Sequence, residues 1–592
     1  MMGGTREPRA HGDLTPWFII GAVVAGFALL SVLWAGGSVG ALLGGGGWHP
    51  PPFSLSTLVR FFNRGPAALW PGASPAGVWA GIIVAVAAVA TLAIIITRQV
   101  LRRTAHPAGL AGPRDVTDLT ESGMADRARH LRPSLGGVNR IPAADIGLRL
   151  GDLDPHGPAL YGSWEDTTLA LMGPRSFKTA GVAVPLILRA PGAVVVTSVR
   201  EDVYTITVDA QRRRRDAHGE LAQIWGLDPQ RIAFLERDWW WDMLAEARSF
   251  EGAWRLAGHF VSLMGSAERL ESDFWMSAAR GLLTGTFMAA GVGGHPISHV
   301  LRWLGNPAET EPLDALKGTP IHGDLRARMN TAPDTREGIY QTAREAVACL
   351  LDPDILAWIT PDPTRRQFVP DQFAASHDTL YLLAKKGTAG AAGVVAALTD
   401  AVLLAAERRA DRMAGRLDPP MLVLLDEAAN IAKIPDLPDK YSYLGGKGIL
   451  PVTVIQNYAQ GESAWGRTGM AALWSAATIK LIGAGIDDPR LAEDVSKLID
   501  DHDVPIRSTS YGGQGRSSSV TPQLRRIMPP GKIRKMPRGW ALLFSTGHPV
   551  AYLRLRAWFR DDGADQISKD LRAQREALTE RANRSLDGSP HQ

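Results

Sequence analysis

Ten residues in the second half of the chain, MLVLLDEAAN from Met421 to Asn430, constrain the fold most strongly. Five apolar residues in succession are typical of a strand that is buried on both faces of a parallel sheet. The run stops at Asp426 and Glu427, which would lie at the carboxyl end of that strand. There Asp426 would hold Mg²⁺ and Glu427 would polarise an attacking water, as in a Walker B element. An ordinary core strand that ends in solvated acids fits these residues equally well.

A second stretch, TLALMGPRSFKTAGVAVPLIL, has the layout of a phosphate-binding loop. A short apolar strand leads through a Gly-Pro turn to Lys178 and Thr179, which open an apolar helix. Lys178 would contact the β- and γ-phosphates of a nucleotide, and the Thr179 hydroxyl would bind Mg²⁺ together with Asp426. The predicted nucleotide-binding loop comprises Gly173, Pro174, Arg175, Ser176, Phe177, Lys178 and Thr179.

This loop departs from the common pattern G-x-x-x-x-G-K-[ST]. Counting back from Lys178, the first glycine position falls on Met172, with Gly173 one place late, and the second falls on Phe177. Glycine is usual at the second position because the backbone approaches phosphate closely there. A Lys-Thr pair after a strand is common by chance, but a Walker B strand about 250 residues later makes the combination much rarer. We therefore predict that the chain binds ATP and Mg²⁺.

Two long apolar stretches near the start of the chain predict membrane spans. Residues 17–43 and 77–97 each reach the roughly 20 residues that a membrane helix needs. The first stretch is too long for a signal peptide and lacks a clear cleavage context. Arg6 and Arg9 precede the first span and Arg98 follows the second, so the positive-inside tendency puts both ends in the cytosol. The sequence predicts a multi-pass protein of the inner (cytoplasmic) membrane, with most of the chain cytoplasmic.

The 592 residues are too many for one core. Between Ser249 and about Trp358 the apolar residues recur at helical spacing, whereas strand-like segments occur on both sides. This pattern predicts an all-helical domain inserted into an α/β domain with a parallel sheet. The predicted segments are a membrane anchor at 1–105, a linker at 106–142, a nucleotide-binding domain in two parts at 143–248 and 361–561, the all-helical domain at 249–360, and a polar tail at 562–592.

The remaining features constrain function less. A net charge of +4 and a pI near 9.1 permit a nucleic-acid partner without indicating one. The single cysteine, Cys349, excludes intramolecular disulfides and any Cys-rich metal site, and we predict no structural zinc.

The run Arg212–Arg215 is more typical of a solvated face than of a DNA contact, and the run Trp239–Trp241 favours packing over base stacking. Gln456 ends a predicted strand, where either a γ-phosphate sensor or an ordinary loop amide could lie.

With these motifs in place, the chain resembles the coupling proteins of type IV secretion, the conjugative DNA-transfer ATPases of the TraG and TraD type. The similarity covers the whole chain in order and rests mainly on LLDEAAN, on VIQNYAQ followed by Trp465-Gly466, and on LRRIMPPGKIRKMPRGWALLF. It implies a RecA-like P-loop ATPase with a mainly parallel sheet, an inserted all-helical domain and two N-terminal transmembrane helices. The positions that match the family's functional residues are Lys178, Thr179, Asp426, Glu427 and Gln456.

The resemblance also implies a function and partners. Such proteins are membrane-anchored hexameric ATPases that receive relaxase-bound single-stranded DNA, protein or both, and pass it to a type IV secretion channel. Arg175 and Ser176 match the family's usual Arg-Ser, but YLGGKGI replaces the arginine that relatives carry after Walker B. A trans-acting cation would then be Lys447 or lie elsewhere. Two alternatives remain open: a non-hydrolysing membrane receptor with a degenerate nucleotide site, and an FtsK-like pump for double-stranded DNA.

Overall fold

The computed structural model describes residues 15–104, 109–216, 219–264, 270–386, 390–512 and 515–587. The chain divides into two compact units, Met1–Ala105 and His106–Gln592, each with its own apolar core. Arg6 and Arg9, on which the predicted membrane orientation partly depends, lie outside the described residues.

The first unit consists of helices: α1 (Thr15–Leu43), α2 (Leu55–Arg64) and α3 (Pro75–Thr104). Within the described residues, one stretch, Pro75–Ile95 in α3, is long and apolar enough to cross a membrane. The second predicted span therefore has support from length and composition. The first predicted span is helical, but the side chains of its opening residues are not described, and two spans are not confirmed.

Small residues let α1 and α3 pack closely together. A Cβ atom on Gly40 would collide with the carbonyl oxygen of Gly77, and one on Gly81 would collide with that of Gly36. Each helix thus has glycines four residues apart on the face toward the other helix. This small-xxx-small spacing is typical of helix pairs in membranes, because it brings the two backbones into van der Waals contact.

The second unit is built on a large sheet. Its described strands, with those of two smaller ribbons, are β1 (Leu148–Leu153), β2 (Ala159–Gly162), β3 (Thr168–Leu171), β4 (Val194–Ser198), β5 (Ile224–Leu227), β6 (Trp239–Trp241), β7 (Arg366–Phe368), β8 (Thr379–Leu383), β9 (Met421–Asp426), β10 (Ile449–Ile455), β11 (Ile479–Gly483), β12 (Asp501–Gly512), β13 (Gly515–Arg526), β14 (Trp540–Ser545) and β15 (Ala551–Arg554).

In this described part of the chain the large sheet has the order β2-β1-β15-β14-β11-β3-β10-β9-β4-β8-β5. The strands from β11 to β5 run parallel, whereas β14, β15, β1 and β2 pair antiparallel at the other edge. The predicted α/β class with a mainly parallel sheet is confirmed. Along β9 every residue is buried, with Val423 in the core on one face and Leu424 in the core on the other. This two-sided burial is why the strand is an unbroken apolar run.

Helices cover both faces of the sheet. The first three are α4 (Glu121–Leu131), α5 (Val184–Arg189) and α6 (Asp202–Arg212). The helical insertion contains α7 (Phe250–Val261), α8 (Leu270–Gly293), α9 (Ile297–Gly305), α10 (Glu311–Ala315), α11 (Ile321–Met329), α12 (Pro333–Ala346) and α13 (Pro353–Trp358). The later helices are α14 (Pro370–Phe373), α15 (Ala392–Arg412), α16 (Ala428–Ile431), α17 (Leu437–Lys440), α18 (Tyr458–Ala476), α19 (Pro489–Ile499), α20 (Pro530–Arg534) and α21 (Ala564–Asp587).

The segment predicted as a linker differs from that prediction in its described part, residues 109–142. It contains α4, whose Met124 and Ala128 are buried in the same core as strand residues such as Leu148. The Gly, Pro and charge content of the segment concealed the four-residue spacing of these apolar side chains. The segment is therefore packed onto the domain, and the linker prediction is wrong for it. The other predicted domain boundaries stay predictions.

The helical insertion begins and ends at a two-stranded parallel ribbon. Strand β6 holds the three tryptophans and pairs with β7, which follows the last helix of the insertion. Trp239 is fully buried, and its ring lies 5.0 Å from that of Trp358 and 5.3 Å from that of Phe368. Packing, as predicted for the tryptophan run, is confirmed.

Two further segments differ in structure. The arginine run Arg212–Arg215 lies at the end of α6. Arg213 pairs with Asp570 of α21, and Arg214 donates to the Gly192 carbonyl oxygen. Residues 507–520 are rich in Ser, Gly and Arg, and the described ones belong to the hairpin of β12 and β13.

Candidate nucleotide site

The loop after β3 leads directly into a helix. Lys178 and Thr179 stand at the start of one turn of π-helix, Thr179–Ala183, which continues into α5. Gly173 stands close against the segment after β11, because a Cβ there would collide with the Gly485 carbonyl oxygen. Gly173, which is one place late in the sequence pattern, thus allows the ends of β3 and β11 to approach each other closely. Pro174 and Arg175 are exposed at the tip of the loop.

Phe177 adopts the backbone conformation that the sequence pattern assigns to glycine. Its φ is +82°, in the left-handed region that side chains rarely enter. The half-buried ring packs edge-on against Phe559, with ring centroids 6.1 Å apart, and it lies beside Gly181 and Gly539, where an added Cβ atom would meet its Cδ1 at 2.9 Å and 3.5 Å. The ring thus packs against the segments around β15 and against the helical turn that follows the loop.

The loop offers a set of donors for an anion. Arg175 (φ +56°) and Phe177 are left-handed and Lys178, which follows, is right-handed, a combination that occurs in backbone nests for phosphate. Ser176 is 1% exposed, and within the described residues its Oγ has no hydrogen-bond partner. A buried hydroxyl without a partner is costly, so this atom fits a site that is completed by phosphate oxygens.

Three neighbouring strands bring the predicted catalytic residues into contact. Lys178, after β3, has its Nζ 3.0 Å from Asp426 Oδ1 and 3.2 Å from Glu427 Oε1, both at the end of β9. Strand β10 lies between β3 and β9, and Gln456 at its end donates from Nε2 to Glu427 Oε1 at 2.8 Å. The carboxyl ends of parallel strands meet at one edge of a sheet, which explains why residues about 250 positions apart are adjacent here.

Glu427 is held from several sides. Its backbone is left-handed, with φ +57°, which is a conformation that costs free energy and is common at functional sites. Asn430 Nδ2 donates to Glu427 Oε2 at 2.9 Å. Lys386 Nζ lies 2.5 Å from the same oxygen. Lys386 follows β8 at the same edge of the sheet, and the only signal in the sequence was its place after an apolar strand.

The charges around this cluster set its protonation. Burial by itself would raise the pKa of Glu427, but the hydrogen bond from Lys386 and the charge of Lys178 lower that pKa to about 2. Burial raises the pKa of Asp426, and Lys178 offsets only part of this effect. The pKa of Lys178 is raised, because the two carboxylates outweigh the effect of burial on the ammonium. At neutral pH Glu427 is an ionised carboxylate able to accept a proton.

Thr179 and Lys447 make fewer contacts that bear on their predicted roles. Thr179 begins the helical turn, and among the described residues it is Lys178, not Thr179, that contacts Asp426. Lys447, the possible trans-acting cation, has its Nζ 2.6 Å from Asp411 Oδ1. The predicted Mg²⁺ ligation by Thr179 and the role of Lys447 stay predictions.

Comparison with known proteins gives related sequences across most of the chain. A family model described as the TraM recognition site of TraD and TraG matches residues 420–538. The conjugal transfer protein TraG of Agrobacterium fabrum is 24% identical over 504 residues, which cover 78% of this chain and 73% of that protein. The probable conjugal transfer protein TraG of Sinorhizobium fredii is 24% identical over 411 residues, covering 66% of this chain and 62% of that protein.

Solved structures share the fold. The unbound bacterial conjugative coupling protein TrwBdeltaN70 matches with a TM-score of 0.52 at 17% identity, over 74% of this chain and 91% of that chain. The coupling protein TrwB in complex with ADP and Mg²⁺ matches with a TM-score of 0.51 at 16% identity, over 74% and 92%. At this identity the matches establish the fold alone, which is the RecA-like α/β fold predicted from the sequence.

Proposed function

We infer from these matches that the chain belongs to the type IV coupling proteins of the TraG and TraD type, and we propose that it links a relaxosome to a transfer channel. The single observation that carries the proposal is the contact of Lys178, Asp426, Glu427 and Gln456 at one edge of the sheet. This arrangement suits a P-loop ATPase, in which positioning and fixed charge do most of the catalytic work.

The substrate that we propose is ATP, with Mg²⁺. When bound, Mg²⁺ would supply positive charge that offsets the negative charge developing on the phosphates. The Thr179 hydroxyl and the Asp426 carboxylate are its candidate ligands, because Mg²⁺ prefers oxygen donors. The Ser176 Oγ and the backbone amides of the nest would donate to phosphate oxygens. The complexes of TrwB with ADP and Mg²⁺ and with a non-hydrolysable ATP analogue support this assignment.

Each residue of the cluster has a separate proposed role. Lys178 would exchange its contacts with Asp426 and Glu427 for contacts with the phosphates, since anionic oxygens compete for one ammonium. Glu427 would then keep its contacts with Lys386, Asn430 and Gln456, and as an ionised carboxylate it would orient the attacking water and accept its proton. Gln456, hydrogen-bonded to Glu427, is the proposed γ-phosphate sensor.

The remaining proposals concern partners and location. We propose that the transported cargo is relaxase-bound single-stranded DNA, protein or both, and that the working assembly is a homo-hexamer. The match of residues 420–538 to the TraM recognition site supports contact with relaxosome components. The long apolar helix within α3 supports attachment to the inner membrane, and we propose that α1 forms a second span.

ATP hydrolysis by the full-length chain in detergent or nanodiscs tests the proposal. We expect Glu427→Gln to lower kcat at least 100-fold while nucleotide affinity changes less than threefold, because the lost carboxylate acts on the water rather than on the phosphates. Lys178→Ala should lower both nucleotide affinity and kcat. Matched controls are Glu576→Gln and Lys569→Ala, which alter exposed residues of α21. Equal activity of the wild type and Glu427→Gln would refute the catalytic assignment.

The same assay separates the alternative functions. Tight nucleotide binding with no turnover, even with DNA and membrane present, would select a non-hydrolysing receptor for secretion cargo. A preference for duplex over single-stranded DNA at one fixed salt concentration would select a double-stranded DNA pump.

A further inference from the structure

A second cluster of polar side chains lies in the helical insertion, where α8 ends and α9 and α10 follow. His295 comes just after α8, His299 lies in the first turn of α9, and Glu311 begins α10. We propose that these three side chains bind one divalent transition-metal ion of the zinc class. The proposal is independent of the nucleotide site, because none of its residues takes part in the contacts of that site.

The distances suit a metal site. The candidate ligand atoms of the three residues lie within 4.8 Å of one another, and His295 Nε2 is 3.7 Å from Glu311 Oε1. Zinc bonds to nitrogen and oxygen are about 2.0–2.2 Å long, so two ligand atoms of a tetrahedral site lie roughly 3.4 Å apart. The His295–Glu311 pair is already close to that separation. The imidazoles of His295 and His299 are stacked with ring centroids 4.6 Å apart, so His299 would reach the same distance by side-chain rotation.

Neighbouring residues fix the orientation of the carboxylate. Trp303 Nε1 donates to Glu311 Oε2 at 3.0 Å, and Arg302 pairs with the same oxygen. These contacts occupy one oxygen and leave Oε1 toward His295. The Trp303 indole is 1% exposed and stands edge-on to both imidazoles, with centroids 5.7 Å and 6.0 Å away. Hydrogen bonds and packing that orient ligands in this way are typical of the residues around a metal site.

The set of donors selects the kind of metal. Two imidazole nitrogens and one carboxylate suit zinc, nickel or copper, whereas Mg²⁺ and Ca²⁺ prefer oxygen donors alone. The positive charge of Arg302 also disfavours hard cations such as Mg²⁺, whose binding depends mainly on electrostatic attraction. The expectation from the sequence of no structural zinc overlooked the spacing of His295 and His299, which are four residues apart on the chain. A bound ion would join the ends of α8, α9 and α10.

Zinc binding to the full-length chain, purified without a polyhistidine tag and stripped with a chelator, tests the proposal. We expect one Zn²⁺ per chain by calorimetric titration and by metal analysis after dialysis. His299→Ala and Glu311→Gln should each weaken that site at least 10-fold, which is the smallest effect expected when even an outer-shell partner is lost. The control is His130→Ala, which removes an exposed histidine of α4 and should bind zinc as the wild type does.

Several results would overturn the site. One is that the wild type binds zinc no more tightly than Glu311→Gln does. Another is that His130→Ala weakens zinc binding as much as His299→Ala does, and a third is that the chain binds Mg²⁺ more tightly than Zn²⁺. Glu311→Gln keeps the size of the side chain, so it remains informative if His299→Ala fails to fold. Because binding is read by calorimetry, failure of this site would not affect the proposed ATPase, and failure of the ATPase would not affect this site.

Discussion

Replacement of Phe177 by glycine tests how this loop tolerates an aromatic residue beside its lysine. Phe177 has a φ of +82°, and its half-buried ring packs against Phe559 and Gly539. If the ring lies outside the phosphate cradle, restoring the usual glycine should change stability and leave nucleotide affinity nearly unaltered. If the ring obstructs the cradle, glycine should increase affinity and turnover together.

The expected change in the free energy of unfolding is the sum of opposing contributions. Glycine relieves roughly 1–2 kcal/mol of left-handed strain, but its greater freedom in the unfolded chain costs roughly 0.5–1 kcal/mol. The lost edge-on contact with Phe559 costs about 1 kcal/mol. Exposing the space around a half-buried phenyl ring costs about 1 kcal/mol more. We therefore expect Phe177→Gly to destabilise the domain by about 1 kcal/mol. Phe177→Ala loses the same packing and keeps most of the strain, so it should be about 1 kcal/mol less stable still.

The assay combines calorimetric titration with a non-hydrolysable ATP analogue, thermal unfolding and ATP turnover. We expect the nucleotide Kd of Phe177→Gly to stay within threefold of the wild type, with the order of Tm wild type, then Phe177→Gly, then Phe177→Ala. For a unit of this size, 1 kcal/mol corresponds to about 1–2 °C in Tm. A gain of 10-fold or more in affinity for Phe177→Gly would refute the reasoning, as would a higher Tm for Phe177→Ala than for Phe177→Gly.

Three further predictions concern the charged groups. The pKa of Glu427, about 2, is below its ordinary value of 4.5, so ionised Glu427 stabilises the fold above pH 4.5, and this stability is lost as the pH falls toward 2. The contribution to the free energy of unfolding is at most about 3 kcal/mol. The Tm difference between wild type and Glu427→Gln should therefore narrow between pH 6 and pH 3. Lys386→Ala should raise the pKa of Glu427, lower kcat about 10-fold and move the acid limb of the pH profile of kcat to higher pH. An unchanged pH profile would show that Lys386 has no role in the site. Lys447→Ala should change kcat less than twofold, because it breaks only a partly exposed pair with Asp411; a 100-fold loss would identify Lys447 as the trans-acting cation.

The sequence predicts the residues of the site better than their surroundings. Strands β3 and β9 are mostly apolar, so the parallel sheet and the meeting of Lys178 with Asp426 follow from the sequence. Lys386 could not be found in this way, because its contact with Glu427 depends on β8 lying beyond β4 in the sheet, and spacing along the chain does not set that order. The packed helix α4 was missed for a different reason: its few apolar residues are dispersed among small, polar and charged residues.

The two acids of β9 differ in how many partners hold them, and this difference supports their separate roles. Within the described residues the Asp426 carboxylate has one ion-pair partner, Lys178, although it is only 5% exposed. Glu427 has Lys386, Asn430 and Gln456 in addition to Lys178. If Lys178 moves to phosphate, Asp426 is left as a buried carboxylate without a counter-charge, which is unfavourable unless a cation replaces the ammonium. Glu427 loses one contact of four and keeps its position. Asp426 is therefore suited to exchange one cation for another, and Glu427 to stay fixed while it accepts a proton.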